Sequence, residues 1–184
     1  MIIYSIRHGK TDMNTQGLFN GRINEDINEV GINQAEVARD MMRDKKIDLI
    51  YCSPMLRTRH TCEIINEKKV PVIYDDRLLE RTLGDVDGKN LEKEGITKDM
   101  FYNYNYKFDK ENYEDIPTIF KRVHSLLDEI VKNDKDKNVL LITHGAIMRA
   151  IYFYFYPIPE HGDLSFYKAK NCELYEYNVN ELLK

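Results

Sequence analysis

The sequence predicts an α/β fold, a three-layer α/β/α sandwich around a mostly parallel central sheet. Short runs of β-branched and aromatic residues alternate with longer stretches whose apolar residues recur at helical spacing. The run Val139–Ile142 is apolar throughout, which is typical of a strand covered on both faces. We expect residues 1–184 to form a single domain, with a loop-rich cap at about residues 80–115.

The first elements are predicted from apolar patterns and their polar boundaries. Ile2–Ile6 is β-branched and aromatic, and it reads as a buried strand. Asn14–Asn28 is rich in Asn and Gly and predicts a loop. After Gly31 the apolar residues fall on one helical stripe, so we expect a helix that runs to about Lys45. Ile47–Cys52 gives the second strand.

The middle of the chain begins with a predicted helix start at Ser53-Pro54. Ser would cap this helix, Pro would occupy its first position, and the helix would continue through Ile65. Val70–Tyr74 predicts a third, short strand. From Asp75 to about Tyr113 the apolar pattern gives way to charged and aromatic residues punctuated by glycines, which predicts a cap of loops and a short helix.

The last third returns to regular spacing. Ile116–Val131 predicts a helix, and the fourth strand, Val139–Ile142, is followed by a helix over Ala146–Phe155. Leu164–Ala169 and Leu174–Val179 are predicted as closing strands.

Charge and cysteine content exclude several classes of function. The formal net charge is -4, and because acidic and basic residues are interspersed we expect no binding of nucleic acid and no binding of membrane. Cys52, Cys62 and Cys172 have neither zinc-site nor disulfide spacing and read as reduced thiols. No run approaches the length that crosses a bilayer, so a soluble cytoplasmic protein is expected.

Two predicted strands end in the same way. Tyr4–Gly9 reads YSIRHG and Leu141–Gly145 reads LITHG, so each delivers a His followed by a Gly. Because ligands of open α/β sheets bind at the carboxyl ends of the strands, we expect His8 and His144 to meet at one edge. Arg7 and Arg57 can reach that edge as well and supply fork-shaped donors for phosphate oxygens.

This set of side chains suits phosphoryl transfer. One neutral imidazole can attack phosphorus while the other groups neutralise the charge on its oxygens. The attacking imidazole needs a free ring nitrogen, which requires its other nitrogen to donate a hydrogen bond, for example to a backbone carbonyl. The leaving group needs a proton, and a carboxylic acid can supply it. Glu80 is the preferred candidate, with Asp85 or Glu114 as alternatives.

With these features the chain resembles the histidine phosphatase superfamily, also called the phosphoglycerate mutase-like family. Five segments carry the resemblance in the family's order, and they are RHGKTDMN (7–14), NGRINEDINEVGINQA (20–35), CSPMLRTRHT (52–61), RLLERTLGDVDG (77–88) and VLLITHGAIMRA (139–150). A lone Arg-His-Gly is a weak signal, but five ordered segments are a specific one.

The resemblance implies a site and a reaction. His8 would become phosphorylated, and Glu80 would donate the proton. The residues that would hold the phosphoryl group are Arg7, Arg57 and His144. The residues that would complete the substrate pocket are Asn14, Asn20, Gly21 and Gly145. The resemblance implies no metal and no other cofactor, and a small phosphorylated metabolite as the partner.

The substrate and the oligomeric state are left open. Asn20 stands where many members have Gln, Asp26 where they often have Pro, and Val86-Asp87 where phosphatase-like members commonly have Trp-Glu. The segment after Glu80 only partly resembles that of the mutases, and the chain is short for a glycolytic mutase, so we favour a phosphatase. A mutase or a non-catalytic phosphate-binding module is the alternative, and a metallohydrolase is a distant one because HxH and HExxH spacings are absent.

We expect the other histidines and Arg149 to lie outside the catalytic site. His60 and His124 lie within predicted helices without a ligand-spaced partner, and His161 is expected to be exposed. Arg149 is placed outside the site, as a packing or salt-bridge residue. The aromatic residues of the cap either line a lid or pack the cap against the body, and they are Tyr102, Tyr104, Tyr106, Phe108 and Tyr113.

Overall fold

The computed structural model describes residues 1–182, and within them one sheet holds the strands in the order β3-β2-β4-β1-β5. The strands are β1 (Ile2–Arg7), β2 (Leu49–Cys52), β3 (Val72–Tyr74), β4 (Val139–Thr143) and β5 (Leu174–Asn178). The pairs β1–β4, β2–β4 and β2–β3 are parallel, whereas β5 is antiparallel to β1. The predicted mostly parallel sheet is therefore confirmed.

Helices cover both faces of this sheet. They are α1 (Asp12–Gln16), α2 (Glu29–Met41), α3 (Leu56–Ile65), α4 (Lys98–Tyr102), α5 (Ile116–Asn133), α6 (Gly145–Phe155) and α7 (Val179–Leu182). α2 packs beside α3 on one face, and α5 packs beside α6 on the other, which confirms the three layers. None of the helices within residues 1–182 is long and apolar enough to cross a membrane.

The central strand β4 shows why the sequence forms this sandwich. Successive side chains of a strand point to opposite faces of the sheet. Leu140 and Ile142 join the apolar cluster under α2 and α3, whereas Val139 and Leu141 join the cluster under α5 and α6. All four side chains are fully buried. An unbroken apolar run is therefore required at this position.

The start of α3 differs from the prediction. The helix begins at Leu56 with Met55 at the N-cap position, and no side chain caps it. Ser53 instead keeps its hydroxyl for a hydrogen bond with His144, described below. The predicted cap at Ser53 and the predicted helix start at Pro54 are therefore wrong.

The predicted loop Asn14–Asn28 is also wrong at its start, because α1 extends over Asp12–Gln16. Thr11 caps α1 in a reciprocal capping box with Asn14. α2 starts at Glu29, before Gly31, because the Asn28 side chain accepts a hydrogen bond from the Gly31 amide. Capping by polar side chains decides both boundaries.

The predicted strand Leu164–Ala169 is absent, and this part of the chain is irregular. Leu164 and Tyr167 are buried three residues apart, whereas Phe166 is exposed, so the burial does not alternate with period two. The Arg149 guanidinium donates hydrogen bonds to the carbonyls of Leu164 and Tyr167. A side chain, rather than a neighbouring strand, therefore takes these backbone acceptors.

The cap, residues 80–115, has an apolar cluster of its own. Leu83, Val86, Ile96 and Tyr113 are buried in it. The Arg81 guanidinium lies over the ring of Phe101 and donates to its carbonyl. Its regular elements are the short 3-10 turn Gly84–Val86 and α4, and a second 3-10 turn, Asp76–Leu78, precedes it.

The aromatic residues of the cap pack mainly against protein. Tyr113 is buried beside Phe108. Tyr104 contacts Phe120 of α5, and the Tyr102 ring lies under the Arg149 guanidinium. Of the two readings of this cluster, the structure favours packing of the cap against the body.

Two glycines let the end of β1 approach the start of α2. A Cβ atom added to Gly9 would lie 2.5 Å from the carbonyl oxygen of Gly31, and one added to Gly31 would collide with the backbone of Lys10. Main-chain atoms cannot rotate aside as the end of a side chain can. The close contact of the two segments therefore requires glycine at both positions.

We expect Leu127→Ala to lower the free energy of unfolding by roughly 2 to 5 kcal/mol, because it leaves a cavity between α5 and the sheet. Leu127 is fully buried. Urea unfolding followed by circular dichroism measures the change. The control Val37→Ala alters an exposed side chain of α2 and should change the value by no more than about 0.5 kcal/mol. Equal losses in the two variants would contradict the assigned core.

Candidate active site

The carboxyl ends of β1 and β4 bring two histidines together. The strands are neighbours, with Arg7 in register with Thr143, and the His8 amide donates to the Thr143 carbonyl at 2.9 Å. The imidazole rings of His8 and His144 lie 5.2 Å apart, centroid to centroid. Both are buried, with exposed fractions of 1% and 0%. The predicted meeting of the two His-Gly strand ends is present.

The hydrogen bonds of His8 define its tautomer. Nδ1 lies 2.7 Å from the Gly9 carbonyl oxygen, which accepts hydrogen bonds only, so the proton is on Nδ1. Nε2 then carries a free lone pair. Burial lowers the pKa of His8 well below its usual 6.5, and the charges of Arg57 and Arg7 lower it further. The ring is therefore neutral near pH 7, as a nucleophile requires.

His144 has the opposite tautomer. The guanidinium of Arg57 is only a donor, and its Nε lies 3.2 Å from Nδ1 of His144, so Nδ1 is the acceptor. The proton is then on Nε2, which donates to the Ser53 hydroxyl at 2.8 Å. Burial lowers the pKa of His144 well below 6.5, and Arg57 adds to the effect. The second ring is also neutral.

Arg57 is fully buried on the first turn of α3. Its two terminal nitrogens donate to the carbonyls of Gly21 and Ile23, each at 2.8 Å. Burial lowers its pKa to about 10, so the guanidinium stays a cation near neutral pH. Gly21 has a φ of +51°, and a Cβ there would collide with the Asp87 carboxylate. Gly21 thus holds Arg57 through a backbone that other residues rarely adopt.

Arg7 has one N–H donor that no group within residues 1–182 accepts from. Its Nη1 donates to the Ala169 carbonyl at 3.0 Å, whereas its buried Nε has no hydrogen-bond partner among residues 1–182. Buried polar groups are rarely left unpaired, so this N–H is suited to an oxygen of a bound anion. Gly145 lies beside the same guanidinium, since a Cβ there would be 3.7 Å from its central carbon.

Glu80 lies at the same edge and is 7% exposed. Its Oε1 accepts hydrogen bonds from the Arg81 amide at 2.9 Å and the Ala146 amide at 3.3 Å, which places it at the first turn of α6, next to His144. The two alternatives lie elsewhere. Asp85 is exposed at the surface beside Tyr113, and Glu114 forms a two-pronged ion pair with Arg122.

Asn14 and Asn20 are hydrogen-bonded to each other at 2.7 Å, with Asn14 as the donor. The amide nitrogen of Asn20 donates to the Thr11 hydroxyl and to the Glu25 carboxylate, which uses both of its hydrogens. Asn20 is buried, whereas Asn14 is partly exposed. Asn20 therefore supports Asn14, and only the Asn14 amide retains a hydrogen for a ligand.

Three polar residues that hydrogen-bond His8, Gly9 or His144 were not predicted at the site. The Thr61 hydroxyl accepts from the Gly9 amide at 3.0 Å, and Ser53 contacts His144 as described. Asn171 donates to the His8 carbonyl at 2.8 Å. Thr61 could have been found from its helical spacing of four residues from Arg57. Nothing in the sequence marks Asn171.

Arg22 lies beside Glu80 and is partly exposed. Its Nε donates to the Glu80 carbonyl at 3.2 Å, and its Nη2 is 3.7 Å from the Glu114 carboxylate. The side chain is 43% exposed. Glu114 is already paired with Arg122, so much of the charge of Arg22 is available to a ligand.

The remaining candidates lie away from this edge or face other partners. His60 pairs with Asp26 at 2.9 Å, and His124 bonds the Ala150 carbonyl. His161 is exposed in its loop. Arg149 is buried and bonds backbone carbonyls, so it is a packing residue without a salt bridge among the described residues.

The chain matches a known protein family and several known proteins. The model of the histidine phosphatase superfamily (branch 1) matches residues 3–181. A metal-independent phosphoserine phosphatase of Arabidopsis thaliana is 32% identical over 82% of this chain and 66% of its own length. A 2,3-bisphosphoglycerate-dependent phosphoglycerate mutase of Cytophaga hutchinsonii is 29% identical over 89% and 83%.

A solved structure shows the same fold. Phosphoserine phosphatase of Entamoeba histolytica, in complex with 3-phosphoglyceric acid, superposes with a TM-score of 0.83. The match covers 98% of this chain and 91% of that one at 23% identity.

The buried neutral histidines predict how stability depends on pH. The unfolded chain binds protons at His144 below about pH 6.5, whereas the folded chain does not, so acidification should lower the free energy of unfolding. We expect His144→Gln to reduce that pH slope between pH 5.5 and 6.5 by up to about 1.4 kcal/mol per unit. Urea unfolding at each pH measures it. His161→Gln, which removes an exposed imidazole, is the control, and equal slopes in wild type and His144→Gln would refute the assignment.

Proposed function

The chain belongs to the histidine phosphatase superfamily and is a phosphatase, and we propose that it hydrolyses a small phosphomonoester through a phosphohistidine at His8. The observation that carries this proposal is the pair of neutral, buried imidazoles flanked by two guanidinium groups at one sheet edge. A tetrahedral dianion is the ligand that such a set of donors fits.

In the first step, the Nε2 lone pair of His8 attacks phosphorus and forms the P–N bond. The P–O bond to the leaving group breaks, and its electron pair stays on the leaving oxygen. Glu80 gives that oxygen its proton. Arg7, Arg57 and the Nε2–H of His144, released from Ser53, neutralise the charge on the phosphoryl oxygens.

In the second step, water attacks the phosphohistidine. The Glu80 carboxylate takes a proton from the water as the P–O bond forms, and the P–N bond breaks with its electron pair returning to Nε2. Phosphate leaves and both residues regain their starting states. The net reaction consumes one water and converts a phosphomonoester into an alcohol and phosphate.

We propose that the reaction needs no metal. The positive charge that neutralises the phosphoryl group comes from Arg7 and Arg57. The general acid is the protonated carboxyl group of Glu80, whose Oε1 is held by two backbone amides and whose Oε2 carries the proton. The Arabidopsis relative is named as metal-independent.

Arg22 supports a substrate with a second anionic group close to the phosphate. Its side chain is 43% exposed, and its guanidinium donates to the carbonyl of Glu80, the proposed acid. Phosphoserine is the first substrate to test, because it carries a carboxylate and because the Arabidopsis relative is named for it.

The phosphoenzyme is the decisive test of the proposal. A substrate with labelled phosphorus should leave acid-labile, base-stable label on wild-type protein after rapid denaturation, and His8→Ala should leave none because the attacking nitrogen is gone. Chelator in the buffer should not change the amount. Label that persists in His8→Ala would show that another residue is the nucleophile.

Glu80→Gln should lower kcat for phosphoserine by roughly 10²- to 10⁴-fold, because the leaving alkoxide then lacks its proton donor. The rate of phosphoenzyme formation from p-nitrophenyl phosphate should fall less, because nitrophenolate leaves without a proton. Stopped-flow and rapid-quench kinetics give both rates. Glu111→Gln, an exposed change in the same cap, is the matched control. Equal losses on both substrates would remove Glu80 from the acid role.

Similarity to a mutase makes isomerase activity the second candidate. With 3-phosphoglycerate and a bisphosphoglycerate primer, we expect phosphate release to exceed formation of the 2-phospho isomer. Phosphorus NMR separates the products. Isomer formation that outpaces phosphate release would assign the chain to the mutases.

A further inference from the structure

The segment Ala169–Cys172, just before β5, runs alongside the end of β1. Arg7 and Asn171 form an isolated parallel bridge. The Cys172 amide donates to the Arg7 carbonyl at 2.9 Å, and the Arg7 side chain returns a bond to the Ala169 carbonyl. This segment therefore borders the phosphate edge, although it is more than 160 residues from His8 in the chain.

The Asn171 side chain joins two groups of the site. Its amide nitrogen donates to the His8 carbonyl at 2.8 Å and lies 3.4 Å from the side-chain oxygen of Asn14. An amide nitrogen carries two hydrogens, so both contacts can be donated at once. One side chain thus connects the nucleophile's backbone with the residue that has a free amide hydrogen for a ligand.

The His8 carbonyl belongs to the rigid peptide group that also contains the Gly9 amide. Asn171 holds the oxygen of this group, and the Thr61 hydroxyl holds its N–H at 3.0 Å. Two bonds on opposite ends of a planar group fix its rotation. The Gly9 carbonyl, next along the chain, accepts the Nδ1 proton of His8. This carbonyl lies in the following peptide group, joined to the first through the Gly9 Cα, so fixing the His8–Gly9 peptide helps to hold the acceptor that orients the imidazole.

The backbone after Asn171 supports this arrangement. Cys172 has a φ of +55°, in the left-handed region that residues other than glycine rarely adopt. The bond from its amide to the Arg7 carbonyl holds this turn in place. Strained backbone persists only where the surroundings fix it, and here it sets the Asn171 side chain against His8.

We propose that Asn171 is a positioning residue for phosphoryl transfer, which holds the His8–Gly9 peptide so that Nε2 of His8 faces the phosphorus atom. This inference rests on the proposed function, because it takes His8 as the nucleophile. Asn171 does not touch the phosphoryl group, since its donors are used by protein oxygens.

Asn171→Asp keeps the shape of the side chain and removes both hydrogens. We expect the rate of phosphoenzyme formation and kcat to fall about tenfold to a hundredfold, because a small displacement of the attacking atom is costly. KM and the inhibition constant of inorganic phosphate should stay within about threefold, because the guanidinium groups of Arg7 and Arg57 keep their own carbonyl partners. Asn33→Asp makes the same chemical change on an exposed face of α2 and should leave the rates unchanged.

A double-mutant cycle with Thr61→Val makes the test independent of any single variant. Because Asn171 and Thr61 act on one peptide group, their effects on kcat should not multiply. The kcat of the double variant should lie within about threefold of that of the slower single variant. Fully multiplicative losses would mean that the two side chains act separately. Asn171→Ser, which restores a short donor, replaces the Asp variant if that protein does not fold.

The outcomes separate this inference from the proposed function. If wild type forms no phosphohistidine, the proposed function fails and the role of Asn171 fails with it. If wild type forms it and the Asn171 variants form it at wild-type rates, only the positioning role is wrong. A loss of phosphate affinity equal to the loss of kcat would also overturn the proposal, since it would indicate general damage to the site.

Discussion

The site depends on two guanidinium groups that bond backbone carbonyls rather than carboxylates. Arg57 bonds the carbonyls of Gly21 and Ile23, and Arg7 bonds that of Ala169. Within residues 1–182 neither forms an ion pair. A cation held by carbonyls, with no carboxylate bonded to it, favours an incoming anion at this edge. Burial, together with the same charges, lowers the pKa of both imidazoles and keeps them neutral, so the arginines contribute both to the nucleophile and to the binding of the anion.

The two imidazoles have similar surroundings but different hydrogen-bond partners. His8 faces a carbonyl through Nδ1, whereas His144 faces a guanidinium donor through Nδ1. Proton position follows from these partners, so one ring presents a lone pair and the other an N–H. A single substitution near either Nδ1 would change which role its ring can take. The hydrogen-bond partner of each Nδ1 thus determines which ring presents a lone pair and which presents an N–H donor.

The sequence predicts the parts of the site that stand at strand ends. His8, His144 and the neighbouring glycines follow apolar runs, and Arg57 follows a strand-end Ser-Pro, so their meeting could be inferred from topology. Ser53 was misread as a helix cap because Ser before Pro is a common helix signal, and its actual partner lies 91 residues away. Asn171 could not be predicted, since its contact with His8 depends on how the last irregular segment returns to β1. The strand predicted over 164–169 does not form for a similar reason, because the Arg149 side chain of α6 donates to two carbonyls of this segment.

The contact between Gly9 and Gly31 has a consequence for the evolution of this chain. Each glycine faces main-chain atoms of the other segment, so a side chain at one position cannot be accommodated by a smaller residue at the other. No pathway of two compensating changes is open, because both partners are already of minimal size. In a saturation library selected for activity, both positions should be depleted of every alternative. A glycine pair at this spacing would therefore help to identify distant relatives whose histidine segments have diverged.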